Sequence, residues 1–503
     1  MAKILIIGGG VAGLSAGIYA RKHGHQAIVC ERHFIAGGNL TGWQRGEYHI
    51  DNCIHWLTGT NPNTDTYRTW TELGALGDTP VYQPETLYTY EADGNRLSLD
   101  KDLKKLEGDM LALSPADKKE IRALIHAVQA VQGVCAIAGE NHDEKSSFWQ
   151  RTHTCPPLLK YFRLSTGELS KRFSHPLIQQ FLSSFIGEDF SAIALITVFA
   201  TFCGGNGGLP QGGSLAMAKR MTDRFVSLGG ELLLKKEATK IHVRGGKATS
   251  VSFADGTKIR ADYIVATIDP KITFPKLLKR EMPKALKSKY DDPKSLCFSS
   301  VHCAFSCPQN KLPFSGDLIF EIPDEYKETL SANHLVLREF SHEKSFAPSG
   351  KTVLQALVFC YEKQAREFIS LRKNKAAYNR KKDEIATCIE TVIAKKFPKL
   401  TGKLERLDVW TPATYERYTG AETGAYMSFI LQKNTVPRRI KSTVKGLKNV
   451  VLATQWQQSP GGLPIAAGLG KQAIDEIVKK EARILRSKKA KILLPLPRKR
   501  KRA

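Results

Sequence analysis

Short, mainly apolar runs lie near both ends of the chain and in its middle, at 3–7, 26–30, 261–267 and 449–454. Runs of this length, bounded by turn residues, are typical of strands buried on both faces of a parallel sheet. Further strands are expected at 231–234, 238–243 and 248–253, and helices at 14–23, 212–228 and 465–478. This alternation of strands and helices predicts an α/β fold.

The stretches between these elements have a different pattern. Ile121, Leu124, Ile125 and Val128 repeat at helical spacing and predict a helix over 118–134. A second helix is expected at 376–396, strands at 300–305 and 353–361, and a loop at 146–158. The apolar stretch 192–203 is too short to cross a bilayer and predicts a helix in the core or beside a cavity. The intervening sequence therefore predicts a mixed α+β unit.

The first strand runs into a glycine-rich turn, Gly8-Gly9-Gly10-Val11-Ala12-Gly13, and then into a helix. In a dinucleotide-binding turn the first glycine allows the tight bend, the second lets backbone approach a pyrophosphate, and the third lets helix and strand pack closely. The helix N-terminus adds free N–H groups for the phosphates. Glu31, at the end of the second strand, stands about where the ribose-binding acid is expected. This arrangement predicts a dinucleotide site.

A second glycine pair, Gly37-Gly38, follows soon after Glu31, and a strand–turn–helix segment, Pro460-Gly461-Gly462-Leu463-Pro464, lies near the other end of the chain. In these segments the chain resembles the FAD-dependent amine oxidase and phytoene desaturase superfamily. The resemblance implies that FAD is the cofactor and that both ends of the chain grip it. One departure is Gln455, where many relatives have an acid; its amide can still hydrogen-bond a ribityl or phosphate oxygen. The cofactor-binding residues implied by motif and resemblance are Gly8, Gly10, Val11, Ala12, Gly13, Glu31, Arg32, Gly37, Gly38, Asn39, Ala238, Gln455, Gly462, Leu463 and Pro464.

The same resemblance implies a Rossmann-type, glutathione-reductase-like FAD-binding domain with an inserted mixed α+β substrate domain. Residues 1–80, 205–270 and 440–482 are assigned to the FAD-binding domain and residues 81–204 and 271–439 to the substrate domain. Residues 483–503 are assigned to a basic tail, whose prolines argue against a regular helix.

The segment 411–420, followed by Gly424-Ala425-Tyr426, resembles the phytoene desaturase, carotenoid isomerase and retinol saturase group. This implies an oxidoreductase that desaturates, saturates or isomerises carbon–carbon bonds of a hydrophobic polyene or isoprenoid lipid, such as a carotenoid or a retinoid. Alternatives are a flavin amine oxidase, a fatty-acid double-bond isomerase and a flavin-binding protein without enzymatic activity. A lesser alternative for this segment is a strand–loop–strand that packs over the flavin without doing chemistry.

Candidate catalytic residues are few because the flavin itself carries the hydride in such reactions. His55 is expected near the flavin ring by analogy, although a lone histidine is more often a hydrogen-bonded structural residue. Trp456 is expected either to wall the flavin site or to fill the core. Glu188 and Asp189 are expected near the cavity or on a solvated turn. No acid–base pair is evident in the sequence.

The formal net charge of +26 points to an anionic partner. No nucleic-acid-binding module accompanies the charge, so the expected partners are a lipid substrate and a peripheral membrane surface rather than nucleic acid. Nine Lys or Arg residues between 486 and 503 add to the basic surface. The cysteines are scattered without metal-site spacing, so no metal is expected, and a reducing cytoplasm is the expected location.

Overall fold

The computed structural model describes residues 1–137, 156–292, 294–295, 297, 299–436 and 439–493, with the side chains of 133–137 and 487–493 left out. Its strands, in chain order, are β1 Lys3–Ile7, β2 Gln26–Cys30, β3 Gly42–Arg45, β4 Tyr48–Asp51, β5 Leu57–Thr58, β6 Val81–Tyr82, β7 Thr86–Ala92, β8 Asn95–Asp100, β9 Gly207–Pro210, β10 Glu231–Leu233, β11 Ala238–Arg244, β12 Lys247–Phe253, β13 Lys258–Arg260, β14 Tyr263–Ala266, β15 Ser300–Pro308, β16 Asp317–Glu321, β17 His334–Glu339, β18 Lys351–Phe359, β19 Glu405–Trp410 and β20 Val450–Leu452.

The α-helices are Val11–Lys22, Asp65–Glu72, Leu103–Leu113, Lys118–Ile137, Thr166–Ser170, Pro176–Ser184, Ala192–Cys203, Gly213–Ser227, Pro270–Ile272, Lys284–Tyr290, Asp324–Leu330, Glu362–Leu371, Lys375–Lys396, Pro412–Thr419 and Leu463–Leu493. Within the described part of the chain, no helix combines the length and apolarity that crossing a membrane requires.

A five-stranded parallel sheet with the order β10-β2-β1-β14-β20 forms the centre of the predicted FAD-binding unit. Its central strand β1 pairs with β2 on one side and with β14 on the other, and Ile4, Leu5 and Ile6 are fully buried. Apolar side chains on both faces of the strands explain the unbroken hydrophobic runs, because helices cover one face and β11–β13 with their neighbours cover the other. The Rossmann-type fold class is thereby confirmed. The strands of this sheet come from all three of the predicted segments.

A seven-stranded sheet with the order β19-β15-β18-β17-β16-β7-β8 forms the second unit. All its pairings are antiparallel except β16 with β7. One face packs against the helical insert through residues such as Phe181, Phe199 and Val336. The other face packs against helix Lys375–Lys396 through residues such as Ile389. The sheet thus has a helical layer on each face, and one of these layers, as shown below, leaves a cavity against it.

Two elements differ from the sequence-based expectation. The segment 411–420 is not a strand–loop–strand; it contains helix Pro412–Thr419, because Thr411 accepts a hydrogen bond from the Ala413 N–H and Pro412 occupies the first helical turn. The last helix continues to Leu493 rather than ending near 478, because no proline and no glycine follow Gly470 until Pro495. Residues 146–155 of the expected loop and 494–503 of the basic tail lie outside the described residues.

Candidate functional site

The glycine turn between β1 and helix Val11–Lys22 has the geometry that a close phosphate contact requires. Gly8 has φ +106°, and a Cβ there would lie 2.6 Å from the Thr267 Oγ1. Gly10 has an ordinary extended backbone, with φ −72° and ψ −178°. A Cβ on Gly10 would meet nothing closer than 3.9 Å, so the space above this residue is open. The first turn of the helix contains no acid, which leaves its positive end uncompensated.

Gly13 has a different role from Gly10. A Cβ there would lie 1.9 Å from the carbonyl oxygen of Gly8, so helix and strand contact each other directly at this point. Gly13 does not line the cavity described below. The third glycine therefore sets the approach of helix to strand, the role that the motif assigns to it.

Glu31 lies at the end of β2 and turns its carboxylate toward the glycine turn. Its Oε2 accepts a hydrogen bond from the Gly9 N–H at 2.7 Å, and its Oε1 accepts one from the His33 N–H at 2.8 Å. Each oxygen retains acceptor capacity, because a carboxylate oxygen has more than one lone pair. The backbone thus fixes an acid beside the turn where ribose hydroxyls are expected.

The second glycine pair lies directly against the first. The Gly37 N–H donates to the Gly9 carbonyl at 2.8 Å, and Gly37 has φ +124°. The Asn39 Nδ2 donates to the carbonyl of Tyr426 at 3.0 Å. The two glycine segments therefore face each other across a narrow gap bounded by backbone.

The C-terminal segment completes this region. Helix Leu463–Leu493 packs against helix Val11–Lys22 so closely that a Cβ on Gly470 would lie 2.4 Å from the Ala12 carbonyl. The amide of Gln455 is engaged by the protein itself: its Oε1 accepts from the Gly462 N–H at 3.0 Å and its Nε2 donates to the Tyr426 carbonyl at 3.4 Å. Gln455 thus fixes the glycine turn before the last helix.

One large cavity of about 2200 Å³ connects these elements. Ligand pockets usually measure about 300–1,000 Å³, so this cavity has room for a dinucleotide and a second large molecule. Of the predicted cofactor residues, the following line it: Gly8, Gly10, Val11, Ala12, Glu31, Arg32, Gly37, Gly38, Asn39, Ala238, Gln455, Gly462, Leu463 and Pro464. His55 and Trp456 line it as well. The structure therefore brings both ends of the chain to one cavity.

The cavity continues from the glycine turns into the space between helix Ala192–Cys203 and the seven-stranded sheet. This part is lined mainly by apolar side chains, and we call it the apolar arm: Phe185, Ile186, Phe190, Ala194, Val198, Ile319, Val336, Leu357 and Phe359. Three of the four sheet residues, Ile319, Val336 and Leu357, belong to the same buried cluster as helix Ala192–Cys203. The arm is therefore part of the substrate unit's own core.

A hydrogen-bonded aromatic group lies in the cavity wall between the two units. The Tyr415 hydroxyl donates to the Asn52 Oδ1 at 2.9 Å and accepts from the Trp410 Nε1 at 3.1 Å. It also lies 3.3 Å from the His302 Nε2. His302 stacks on Trp410 with ring centres 4.7 Å apart. Because the Tyr415 hydroxyl donates its hydrogen bond to Asn52, the His302 Nε2 must carry the hydrogen that it shares with the Tyr415 oxygen. The His302 Nδ1 is then a buried acceptor without a partner among the described residues.

Two of the histidines that line the cavity, His55 and His302, are held neutral. Burial, reinforced by the charge of Arg338, keeps the pKa of His55 well below its usual value and lowers the pKa of His302 to about 3. Arg338 itself is buried and paired with Asp317, which accepts from its Nε at 2.6 Å and from its Nη2 at 2.5 Å. Burial also raises the pKa of Cys53 to about 12. His55, His302 and Cys53 are thus uncharged, and the charge of Arg338 is neutralised by Asp317.

His55 opens to the cavity and makes no hydrogen bond to any residue in the described part of the chain. His55 therefore lacks the hydrogen bonds to the described residues that a structural histidine would make. Trp456 stacks on Tyr290, with ring centres 4.9 Å apart, and is also one of the residues that line the cavity. Glu188 and Asp189 also line the cavity.

Sequence reasoning missed His302, Trp410, and the pair Asp317 and Arg338. Each lies on a strand of the seven-stranded sheet: His302 within β15, Asp317 at the start of β16, Arg338 near the end of β17 and Trp410 at the end of β19. A polar residue within a mainly apolar strand, such as His302, was an available signal, but the sequence alone does not tell which partner it meets.

These features fit an FAD molecule. The open space above Gly10 suits a pyrophosphate, the fixed carboxylate of Glu31 suits ribose hydroxyls, and the positive end of helix Val11–Lys22 suits phosphate. When bound, FAD would supply a hydride carrier to the cavity.

Comparisons with known proteins agree with this geometry. The model of the flavin containing amine oxidoreductase family matches residues 11–463. Prolycopene isomerase 1, a chloroplastic protein of an Oncidium hybrid cultivar, is 23% identical over 480 residues, covering 88% of this chain and 77% of that protein. Phytoene dehydrogenase of Streptomyces griseus is 22% identical over 499 residues, covering 94% of each. Phytoene desaturase (neurosporene-forming) of Rhodobacter capsulatus is 26% identical over 292 residues, covering 56% of this chain and 55% of that protein.

Solved structures share the fold at low identity. Putrescine oxidase bound to putrescine has a TM-score of 0.61 at 14% identity, covering 95% of this chain and 99% of that one. Cyclohexylamine oxidase of Brevibacterium oxydans has a TM-score of 0.59 at 15% identity, covering 96% and 99%. Because the family model spans most of the sequence, this chain belongs to the flavin containing amine oxidoreductase family, and its cofactor is FAD.

Proposed function

We propose that this flavoprotein acts on carbon–carbon bonds of a hydrophobic polyene, of the carotenoid or retinoid type, by desaturation, saturation or isomerisation. The observation that carries the proposal is the apolar arm, which opens from the cofactor region and is lined by aromatic and aliphatic side chains. A polyene chain makes no hydrogen bonds, so a chamber of this kind gains affinity by apolar burial alone, at about 25 cal/mol per Å².

The neutral state of the polar groups supports the same substrate class. His55, His302 and Cys53 carry no charge near neutral pH, for the reasons given above. An uncharged hydrocarbon needs no charged partner, so these neutral groups suit it. Carotenoid-acting names among the relatives, such as prolycopene isomerase and phytoene desaturase, support this reading.

Amine oxidation, the alternative reaction, would need an aromatic pair that can frame a small amine at the flavin. Tyr415 and Tyr426 both line the cavity, but their ring centres are 6.1 Å apart and their planes are tilted by 49°. Rings at that distance and tilt contact each other. They leave no slot between them for a ligand.

The chain's own residues have defined tasks in this proposal. The two glycine turns and Glu31 hold the dinucleotide, Gln455 holds the last turn in place, and the apolar arm orients the polyene and excludes water. Tyr415, His302 and Asn52 form a hydrogen-bonded polar group that we assign to the wall near the polyene, and the His302 Nδ1 is its free acceptor among the described residues. The basic surface is proposed to bring the protein to a membrane, where such lipids reside.

The test is an anaerobic assay of the FAD-loaded protein with detergent-dispersed polyenes. Bleaching of the flavin by a polyene identifies desaturation, whereas product formed only after chemical reduction of the flavin identifies saturation or isomerisation. Flavin bleaching by amines, with no change of any polyene in either redox state, would refute the proposal.

A matched pair of variants tests the arm itself. Val198→Trp adds a large side chain to the arm, whereas Val226→Trp makes the same change at an exposed position, 51% accessible, on helix Gly213–Ser227. We expect Val198→Trp to lower polyene turnover about 5- to 150-fold, by overpacking that costs about 1–3 kcal/mol, with the FAD spectrum unchanged. Val226→Trp is expected to retain wild-type turnover. Equal turnover by the two variants would show that the polyene does not occupy the arm.

A further inference from the structure

Several cationic residues that line the cavity lie far in sequence from the basic tail. The segment 372–382 contains six Lys or Arg residues and no acid. Three of them, Arg372, Lys375 and Lys382, line the cavity, as do Arg45 and Arg417 from other elements. We call these five residues the cationic rim. Because Arg45, Arg372, Lys375 and Arg417 are also exposed to solvent, the rim marks an opening to the surface.

The rim is only partly neutralised by the protein. Arg45 pairs with Asp408 at 2.6 Å and Arg372 pairs with Glu416 at 2.9 Å. Lys375, Lys382 and Arg417 form no ion pair with any residue in the described ranges. Lys382 and Arg417 instead lie over tyrosine rings, 5.6 Å from that of Tyr378 and 5.4 Å from that of Tyr418. Three charges are thus left for an external anion.

Exposed aromatic rings adjoin the rim. Tyr418 is 44% exposed and Phe34 is 60% exposed. The ring of His33 connects them, 4.7 Å from Tyr418 and 4.1 Å from Phe34. Aromatic side chains beside Lys and Arg residues are the composition found where proteins enter the interfacial layer of a bilayer.

We propose that the cationic rim docks on the surface of an anionic lipid bilayer and sets this opening of the cavity against the membrane. The inference rests on the proposed lipid substrate, because a polyene can then pass between bilayer and cavity without crossing water. Non-specific nucleic-acid binding uses cations that follow a backbone along a groove, with bases stacked on aromatic rings. Here the cations line a largely apolar cavity and most of them are exposed to solvent, which favours the lipid surface.

The experiment measures binding of the full FAD-loaded chain to phosphatidylcholine vesicles with and without phosphatidylglycerol. The rim variant is Lys375→Gln, Lys382→Gln and Arg417→Gln combined. The control variant is Lys240→Gln, Lys247→Gln and Lys258→Gln, three exposed residues on β11–β13 that do not line the cavity. Both variants remove three positive charges and leave the tail intact.

We expect wild-type binding only with phosphatidylglycerol present, weakening as salt is added. Each basic residue near an anionic surface contributes on the order of a tenfold change in affinity or less. The rim variant should therefore bind about 10- to 100-fold more weakly, and the control within about threefold of wild type. The FAD spectrum and melting temperature of both variants, compared with wild type, establish that they are folded.

Equal weakening of rim and control variants would overturn the inference in favour of net charge alone. Unchanged vesicle binding by the rim variant would also overturn it, and loss of DNA or RNA binding in that variant would then identify a nucleic acid as the partner. Measuring polyene conversion as well as vesicle binding keeps this test distinct from the test of the proposed function. The rim variant should convert a detergent-dispersed polyene at the wild-type rate and a vesicle-embedded one more slowly. Inactivity of the wild-type protein in detergent would count against the proposed function and leave the vesicle-binding result standing.

Discussion

Replacing Gly10 by alanine separates cofactor binding from folding. A Cβ at this position meets only the carbonyl oxygen of Gly37 and the Cα of Gly38, both at 3.9 Å, which is ordinary van der Waals contact. The backbone there, at φ −72° and ψ −178°, suits alanine. The free energy of unfolding of the apoprotein rises by about 0.4–1 kcal/mol because alanine makes the unfolded chain less flexible. It falls by a similar amount because alanine caps a helix less well than glycine does. Its free energy of unfolding should therefore change by less than about 1 kcal/mol.

Bound FAD alters this balance, because its pyrophosphate is expected in the space that the methyl group would fill. Overpacking of one methyl group costs about 1–3 kcal/mol. This corresponds to a roughly 5- to 150-fold rise in the dissociation constant for FAD. The assay is titration of apoprotein with FAD, followed by quenching of flavin fluorescence, together with thermal melts of the apoprotein and of the FAD complex.

Gly108→Ala is the matched control. Gly108 is an exposed glycine within helix Leu103–Leu113, and a Cβ there would have no atom within 4 Å. We expect unchanged FAD affinity and a gain in stability of up to about 1 kcal/mol. FAD affinity of Gly10→Ala equal to that of wild type would place the pyrophosphate elsewhere. An unfolded Gly10→Ala apoprotein would show that the space above Gly10 is not open.

Three further changes have expected outcomes. Gly13→Ala should destabilise apoprotein and complex alike, by about 3 kcal/mol or more in melts, because its Cβ would lie 1.9 Å from the Gly8 carbonyl; a stable variant would contradict the packing. Burial raises the pKa of Asp269 to about 6, so the folded chain holds that proton more tightly than the unfolded chain does, and the stabilisation is lost as pH rises from about 4 through 6. Asp269→Asn should therefore raise stability above about pH 7, by up to about 2–3 kcal/mol, with no gain near pH 4; a gain equal at both pH values would refute this. Asp317→Asn leaves the buried Arg338 without its carboxylate and should cost about 3–5 kcal/mol in denaturant unfolding. Asp324→Asn, at an exposed ion pair, should leave stability almost unchanged, and similar costs for the two would argue against burial as the cause.

Much of the cofactor region was predictable because its determinants are local. The turn from Gly8 to Gly13 and the acid at Glu31 lie within one βαβ unit, where residue type directly limits backbone conformation. The central strands were predictable too, since apolar runs such as 3–7 are long enough to be recognised without knowledge of their neighbours. The helix Pro412–Thr419 was not predicted, although the threonine cap at Thr411 and the proline that follows it are a typical helix start.

The cavity wall depends on contacts that no local pattern encodes. Tyr415 meets Asn52 across 363 residues of sequence, and Arg338 reaches the Ile54 carbonyl across 284. Likewise, the sequence predicts that the amide of Gln455 hydrogen-bonds the cofactor, but in the structure this amide binds the Gly462 N–H and the Tyr426 carbonyl. Which acceptor a side chain finds depends on strand register and on how the two sheets are set against each other.

The sequence by itself determined that a dinucleotide turn begins the chain, that its sheet is parallel and buried, and that the charge is strongly basic. These properties follow from residue types over a few consecutive positions and from a simple sum of charges. Only the tertiary structure decided that His302 is neutral, that an apolar arm leads away from the glycine turns, and that cations from separate elements line one cavity. Burial, pairing and proximity are relations between distant segments, and they exist only once the sheets and helices have packed.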